Sequence, residues 1–134
     1  MEMLSPYLRL LGRIILSILF IRAGLHKFMF YGDTQAYMAA HHVSGTLLPL
    51  VILTELGCGL AILLGIFTQW AALLLAGFCL LAAYLFHYHP GDAPQMMQFV
   101  KDVTIAGGFL VLAGAGPGTL SLESLRRGRN EPGQ

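Results

Sequence analysis

Charged residues are scarce in this chain of 134 residues: Asp, Glu, Lys and Arg make up 11% of it, whereas a typical soluble domain contains about 25%. Together with a mean hydropathy of +0.69, this shortage excludes an ordinary soluble globular domain. The formal net charge is only +1, so the chain lacks the basic surplus of nucleic-acid-binding proteins. We therefore expect no nucleic acid among its partners.

Cysteine is also scarce. Cys58 and Cys79 both lie inside apolar runs, which does not fit the disulfide framework of a small secreted domain. A redox-active thiol pair is one interpretation, but there is no Cys-x-x-Cys motif, and buried free cysteines usually act as small apolar side chains. P-loop, dinucleotide-binding, haem-attachment and nucleophile-elbow motifs are absent too, so no catalytic residue is assigned.

Long apolar runs dominate the sequence instead. A helix needs roughly 20 apolar residues to cross a hydrocarbon core of about 30 Å, and four runs come close to that length: 10–30, 47–67, 70–87 and 97–115. Arg22 and Lys27 stand where a signal peptide would have its cleavage site, so the first run is interpreted as a retained span. The predicted fold is a single all-α domain over residues 1–134, an integral membrane four-helix bundle in contact with the lipid bilayer.

The segments between the spans indicate the topology. Residues 33–40 favour a short interfacial helix in the first outer loop, and a mobile polar tail is expected over residues 116–134. Basic residues concentrate on the side of the termini: Arg9, Arg13, Arg126, Arg127 and Arg129. Only Lys27 and Lys101 lie at the opposite ends of the spans. The positive-inside rule therefore predicts that both termini are cytoplasmic.

Small residues recur on the second and fourth spans. Gly57, Ala61 and Gly65 follow one another every four residues, and Gly107 and Gly108 stand inside the fourth span. Small side chains let two membrane helices approach closely. These five positions are the predicted helix-packing surfaces.

A few ionisable residues lie inside the apolar runs, where a charge is costly and usually marks a functional site. Arg22 lies eight residues from the outer end of the first span, and Glu55 eight residues from that of the second. Both positions are roughly 12 Å deep at 1.5 Å per residue. Their equal depth predicts an ion pair.

Other polar residues are expected to join this pair. His26 shares a helical face with Arg22, and five more lie within about one turn of a span end on the same side. If the helices bundle in sequence order, they form a polar pocket that opens outward. The predicted pocket residues are Arg22, His26, Lys27, Glu55, Tyr84, His87, Lys101 and Asp102. A structural alternative stays open, in which the pair only sets helix register and the two lysines snorkel to the interface.

All five histidines lie on the predicted outer side. Imidazole is a common ligand of zinc and copper, and the loop residues of a suitable type are His41, His42, His87, His89 and Asp92. Their spacing is unspecific and fixes no third ligand. Interfacial or loop histidines are the simpler interpretation, so no metal site is assigned.

Several short stretches follow one another in an order that is more specific than any one of them. They are Arg22-Ala-Gly-Leu-His-Lys-Phe, Ala-Tyr-Met-Ala in the first loop, Glu55-Leu-Gly with Gly65, Phe99-Val-Lys-Asp before Gly107-Gly108, and Gly116-Pro-Gly-Thr-Leu-Ser-Leu. In this combination the chain resembles the DoxX family of small four-span membrane proteins over residues 8–122. One departure is Asp102, where the family usually has asparagine. The added charge is placed to pair with Lys101 or Lys27.

The resemblance implies a bacterial inner-membrane protein associated with redox chemistry. The family takes its name from a small subunit of a membrane thiosulfate:quinone oxidoreductase, and relatives are linked to quinone and thiol stress. An accessory of a quinone- or thiol-linked oxidoreductase is therefore expected, with quinone as the suggested ligand. Arg22 and Lys101 would bond its oxygen atoms, and Glu55 would relay a proton. With no evident redox centre in the chain, a partner redox membrane protein or a bound cofactor would supply electrons.

A hypothesis of another class is a non-enzymatic assembly or chaperone module that holds partner membrane proteins, or a second copy of itself, through helix contacts. Related four-span proteins of a wider group act as chaperones or cargo receptors. This hypothesis predicts that substitutions at Gly57, Ala61 and Gly65 harm function more than those at Glu55. Transport of a small anion is a weaker third hypothesis, because the chain has only four predicted spans and no broken-helix signal.

Overall fold

The computed structural model describes residues 1–130, and the regular structure in that range is entirely helical, which confirms the all-α prediction. Six α-helices follow one another: α1 (Ser5–Met29), α2 (Tyr31–Ala40), α3 (Leu48–Leu64), α4 (Thr68–Ala82), α5 (Ala93–Ala115) and α6 (Leu122–Asn130). A 3₁₀ turn at Gly45–Leu47 precedes α3, and a π-helical turn at Ala83–His87 continues α4.

Three helical stretches are long and apolar enough to cross a membrane: Gly45–Leu64, Thr68–His87 and Ala93–Ala115. With 25 residues α1 is longer than any of these, but Arg9, Arg13, Arg22 and Lys27 interrupt its apolar surface. The structure therefore supports a membrane protein with three clear candidate spans, and a fourth span at α1 stays a prediction.

Local signals set the helix ends. Pro6, Pro49 and Pro94 stand in the first turns of α1, α3 and α5, where proline fixes a helical φ and its missing N–H is not needed. Asp92 caps α5 by accepting a hydrogen bond from the Gln95 N–H at 3.3 Å. These caps start α5 four residues before the predicted span, in a polar stretch that hydropathy alone does not assign to a helix.

The α3–α4 connection is short because two of its residues adopt left-handed backbone conformations that turn the chain sharply. Gly65 ends α3 with a φ of 75°, and Phe67 adopts a φ of 48° just before α4. A left-handed residue is a frequent helix terminator, and glycine adopts it without steric cost. The α3 helix consequently ends three residues before the predicted span boundary at residue 67.

Neighbouring long helices pack in chain order, with α1 against α3, α3 against α4, α4 against α5, and α5 back against α1. Their shared core is apolar, and the Phe20 ring meets the Phe109 ring edge-on at a centroid distance of 5.3 Å. A second cluster joins α2 to the start of α3 through Met38, Leu48 and Ile52. We call the end covered by α2 the α2 end, and the opposite end, where α6 lies, the α6 end.

Two glycines allow the close packing of α1 on α3. A Cβ atom added to Gly24 would lie 2.7 Å from Leu56 Cγ, and one added to Gly59 would lie 3.0 Å from Ile21 Cγ1. These distances are shorter than ordinary carbon contacts. A side chain at position 24 would therefore displace Leu56, and one at position 59 would crowd Ile21.

The residues predicted to form helix-packing surfaces have different structural roles. Gly57 and Gly107 face open space, Gly108 makes only an ordinary contact with Leu16, and Ala61 packs beside the core. Gly65 acts as the α3 terminator. The expectation of one small-residue packing surface on α3 is therefore wrong within this chain, because a four-residue spacing does not show which helix face is covered.

The expected polar tail contains ordered structure. Ser121 caps α6 by accepting the Ser124 N–H at 3.2 Å, and the Glu123 N–H donates to the Gly65 carbonyl at 3.1 Å. These bonds hold α6 on the α3–α4 connection, and the mobility expected for the tail stays a prediction. The last four tail residues, 131–134, lie outside the described residues.

Arg13 is buried in the same region, and within residues 1–130 no carboxylate pairs with it. Its guanidinium donates four hydrogen bonds to backbone carbonyls: Nε to Ile62 (2.9 Å), Nη2 to Leu63 (2.9 Å), and Nη1 to Pro117 (3.1 Å) and Leu120 (2.7 Å). The first two carbonyls belong to the last turn of α3, where helix carbonyls have no partner within the helix. Arg13 thus joins three segments at the α6 end.

Candidate functional site

A cavity of about 560 Å³ lies at the α2 end, between the four long helices and beneath α2. Most of its wall is apolar, with aromatic rings from Phe20, Phe78 and Phe86. Five of the eight predicted pocket residues line it: Lys27, Glu55, His87, Lys101 and Asp102. A mainly apolar cavity with a few convergent polar groups is the usual form of a small-molecule site.

One polar group of the cavity is an ion pair between α1 and α3. Lys27 Nζ lies 2.8 Å from Glu55 Oε1 and 3.0 Å from Oε2. The Glu55 side chain is only 3% exposed, whereas that of Lys27 is 29% exposed. Gly24 lies one turn before Lys27, and its missing side chain lets α3 approach at this level. The pair is therefore fixed by the packing of the two helices.

The predicted pairing of Glu55 with Arg22 is wrong. Arg22 is exposed, and within residues 1–130 its side chain makes no hydrogen bond or ion pair. At 100° per residue, Arg22 points about 160° away from Gly24, whereas Lys27 lies about 60° from it. The face of α1 that meets α3 thus includes Lys27 and excludes Arg22. Equal depth therefore selected the wrong residue, because Lys27 lies closer to the span end than Arg22 and the pairing is set by the helix face.

Two other predicted residues lie outside the cavity wall. His26 is exposed on α1 with its ring against Phe30, at a centroid distance of 4.8 Å. Tyr84 is exposed as well, and its ring stacks with that of Tyr88 at 5.9 Å. Both aromatic pairs lie on the surface of the α2 end, so the structure does not bring His26 or Tyr84 into the cavity.

A second polar group joins the π-helical turn to α5. His87 Nδ1 lies 3.0 Å from Gln95 Oε1, and its Nε2 lies 3.6 Å from Asp102 Oδ2. The Gln95 contact is within hydrogen-bond distance, whereas the Asp102 contact is longer and is an ion pair only when the imidazole is protonated. The expectation that Asp102 pairs with Lys101 or Lys27 is therefore corrected, since the side chain that approaches its carboxylate is His87. Turns of π-helix are frequent at functional sites, and here one carries His87.

Further polar residues of the cavity were missed at the sequence level. Gln98 lines the wall and Gln95 holds His87. Together with Asp102 and Ile105 they follow a spacing of three, four and three residues, which marks one face of α5. This periodic polar face was the available signal. The glutamines drew no attention because they carry no charge.

The α2 helix closes the cavity from above. The Tyr37 ring stacks on Phe86 of the π-helical turn, with a centroid distance of 5.5 Å and an interplanar angle of 21°. The His41 ring contacts the same phenylalanine at 5.3 Å. Burial raises the pKa of the Tyr37 phenol, so this hydroxyl keeps its proton at neutral pH. Tyr37 thus adds a hydrogen-bond donor to the cavity wall.

The remaining candidate metal ligands and the two cysteines do not form a common site. Within residues 1–130, no three side chains of metal-ligand type form a group, and the His41 and His89 rings lie 6.2 Å apart. Both cysteines are free thiols. Cys79 lines the cavity, whereas Cys58 packs beside the apolar core.

Comparisons with known proteins place the chain among membrane proteins. The DoxX family model matches residues 8–88. The inner membrane protein YqjF of Escherichia coli K12 is 51% identical over 116 residues, which cover 87% of this chain and 89% of that protein. The inner membrane protein YphA of the same organism is 38% identical over 125 residues, covering 88% and 89%. No solved structure matches the chain.

Proposed function

The chain belongs to the DoxX family, and from this premise we propose that it is an inner-membrane protein that binds a lipophilic, carbonyl-bearing ligand such as a quinone. The cavity at the α2 end is the observation that carries the proposal. Its volume of about 560 Å³ falls within the range of about 300 to 1,000 Å³ typical of ligand sites.

The polar groups of the cavity suit an aromatic ring with oxygen substituents. Quinone oxygens only accept hydrogen bonds, and the cavity offers the donors Lys27, Lys101 and Tyr37. Phe20, Phe78 and Phe86 supply apolar surface for the ring and its hydrocarbon tail. Lys27 takes the binding role first given to Arg22, and its partner Glu55 can exchange a proton with a bound hydroquinone.

The redox role that we propose is an accessory one. No redox-active group is assigned to the described residues, so the electrons that reduce a bound quinone must come from a partner redox membrane protein or a bound cofactor. The chain would hold the quinone while the partner donates two electrons, and the two protons of the hydroquinone would pass through the polar wall. A small subunit of a quinone- or thiol-linked oxidoreductase fits this division of labour.

Four membrane spans follow from the same proposal. The start of α1 contacts the end of α5, with Arg9 Nη1 lying 3.4 Å from the Ala115 carbonyl, and α1 packs along α3. A helix packed along a span lies in the same bilayer. We therefore propose that α1 crosses with α3, α4 and α5, that α2 lies at the outer interface, and that both termini are cytoplasmic.

Quinone binding to the purified protein tests this function. The Lys101→Gln variant removes a cationic donor from the cavity wall, and we expect about tenfold weaker binding, because a hydrogen bond from a charged donor contributes about 1.5 kcal/mol or more. Arg22→Gln makes the same charge change outside the cavity and should bind as the wild type does. Failure of the wild type to bind quinone saturably, or equal affinities for the two variants, would refute the proposed function.

An assembly role remains the second candidate, and one observation favours it. The exposed face of α3 presents Gly57 between Leu53 and Leu60, and a side chain at Gly57 would meet nothing within 4 Å. A glycine in an apolar stripe lets another membrane helix approach closely. The occupant would be a partner membrane protein or a second copy of the chain.

A further inference from the structure

We propose that the α6 end carries a binding site for anionic phospholipid headgroups, formed by the exposed face of α6 together with Phe67 and Trp70. This site lies at the opposite end of the bundle from the cavity and does not depend on the proposed quinone function. We call these residues the α6 surface: Phe67, Trp70, Leu122, Leu125, Arg126 and Arg129.

The exposed face of α6 combines apolar and cationic side chains. At 100° per residue, Leu122, Leu125, Arg126 and Arg129 fall within an arc of about 100°, and all four are exposed. Leu125 is 65% exposed. On another face, Arg127 pairs with Glu123 at 3.1 Å. Within residues 1–130, Arg126 and Arg129 form no ion pair, and they stand beside the leucines of α6, an arrangement typical of helices that lie in a membrane interface.

The position of α6 places this face at a membrane boundary. The Glu123 N–H donates to the Gly65 carbonyl at 3.1 Å, and Arg13 holds the Leu120 carbonyl at 2.7 Å. Two candidate spans, Gly45–Leu64 and Thr68–His87, end and begin here. The helix is thus fixed at the level where the apolar surface of the bundle stops.

Aromatic residues mark the same boundary. Phe67 is 67% exposed and Trp70, one turn further on, is 71% exposed. Aromatic side chains concentrate where acyl chains meet headgroups. A cleft of about 190 Å³ joins Phe67 to Arg126 and also contains the paired Arg127 and Glu123, so its charged groups leave one net positive charge. Acyl carbons would contact the phenylalanine while the phosphate meets the Arg126 guanidinium group.

Charge complementarity selects an anionic lipid over other occupants. Arginine near an anionic membrane surface contributes about 1 kcal/mol per residue, an advantage that a zwitterionic lipid does not provide. A neighbouring cavity of about 550 Å³ contains Arg9 and Arg127 but also Glu2 and Glu123, so its charges balance. We therefore assign the phosphate to the α6 surface and not to that cavity.

Titration of the detergent-solubilised protein with phosphatidylglycerol or phosphatidylcholine tests the site. Trp70 is the only tryptophan, so its fluorescence reports on the α6 surface, and native mass spectrometry counts the retained lipids. We expect tighter binding of phosphatidylglycerol, weakened by added salt. Equal retention of the two lipids would overturn the proposal.

Matched arginine variants locate the site. Arg126→Gln should weaken phosphatidylglycerol binding about fivefold, and adding Arg129→Gln should bring the loss to about 25-fold. Arg22→Gln removes an exposed arginine elsewhere and should keep wild-type affinity. All three side chains are exposed, so circular dichroism should show unchanged helix content. If Arg126→Gln and Arg22→Gln bind the lipid equally well, the site is not on α6.

Discussion

Arg13 and Glu55 are both buried charges, but each is stabilised in a different way. Glu55 has an ionic partner in Lys27. Arg13 instead donates to four backbone carbonyls, which satisfies most of its five N–H groups and the free carbonyls of a helix end together. A positive charge near a helix C-terminus is also favoured by the helix dipole. Arg13 thus has a structural role in addition to any effect on topology.

Replacing Arg13 should destabilise the protein more than replacing any exposed arginine. Arg13→Met removes the donor of the Leu63, Pro117 and Leu120 carbonyls, while Ile62 keeps the Gly65 N–H, and we expect a loss of about 3 kcal/mol or more in the free energy of unfolding. The free energy of unfolding of Arg13→Lys should lie between those of the wild type and Arg13→Met, because a lysine ammonium group lacks the planar, multiply donating guanidinium of arginine. Unfolding in mixed micelles, followed by circular dichroism, measures the change.

Arg9→Met is the matched control for Arg13. Arg9 lies one turn earlier on α1, is exposed and makes one long bond of 3.4 Å to Ala115. Its loss should change the free energy of unfolding by no more than about 0.5 kcal/mol. Equal stability of the Arg9→Met and Arg13→Met proteins would contradict the structural role of Arg13.

The Lys27–Glu55 pair should respond asymmetrically to mutation. Lys27→Met leaves a carboxylate that is 3% exposed without its cation, which should cost about 3 kcal/mol of unfolding free energy. Glu55→Gln leaves Lys27, 29% exposed, with access to water, so about 1 kcal/mol is expected. The double variant should be more stable than Lys27→Met alone. The account fails if Glu55→Gln proves the more damaging single change in the same unfolding assay.

The Arg22 error shows what sequence alone provides at the residue scale. Counting residues gives the depth of a side chain in a span, and this correctly directed attention to Glu55 and the α2 end. The facing direction depends on which side of α1 meets α3, and Gly24 decides that side through its contact with Leu56. The available signal was that Arg13, Ser17, Gly24 and Lys27 lie within about 80° of one another around α1, which marks one polar and small-residue face that depth alone does not reveal.

At the scale of elements, hydropathy located the long helices and left their ends inexact. The predicted runs 10–30 and 97–115 compare with α1 at Ser5–Met29 and α5 at Ala93–Ala115. Both helices begin earlier than predicted because proline and capping residues start a helix within polar sequence. The sequence did favour a helix at 33–40, but the helical tail segment α6 was missed, since its cap at Ser121 lies in a polar stretch.

Two glycines of α3 provide a controlled test of helix packing. Gly59→Leu would force a side chain into α1, where a Cβ already lies 3.0 Å from Ile21 Cγ1, and we expect a loss of about 3 kcal/mol. Gly57→Leu enters open space on the same helix and should change the free energy of unfolding by no more than about 0.5 kcal/mol. Thermal unfolding in detergent compares the stabilities of the Gly59→Leu and Gly57→Leu proteins.

The same pair of variants separates the two candidate functions. If α3 holds a partner, Gly57→Leu should abolish recovery of the crosslinked partner or second copy while leaving fold and quinone binding intact. Unchanged crosslinking in Gly57→Leu would remove the α3 stripe as an interface. Equal thermal stability of Gly57→Leu and Gly59→Leu would show instead that the α1–α3 packing described here is wrong.

For the whole molecule, the two ends of the bundle differ in character. The α2 end encloses a cavity with ionisable walls, and the α6 end exposes aromatic and arginine side chains around a buried Arg13. The sequence predicted the first asymmetry because its polar residues cluster at one set of span ends. It did not predict the second, because residues 67 and 126 line one cleft only through the folding of the tail onto the α3–α4 connection.

Topology is the property of the whole chain on which both sites depend. Arg9 and Arg13 bind carbonyls at or just after the end of α5, so the start of α1 and the end of α5 lie at the same end of the bundle. If α5 crosses the membrane, both termini must then lie on one side. With three spans only, they would lie on opposite sides.

Reporter fusions before Met1 and after Gln134 should both be active as cytoplasmic reporters, and a fusion after Gly91 should be active only as an external one. Opposite locations for the two termini would exclude α1 as a span and open the wall of the cavity that Lys27 lines.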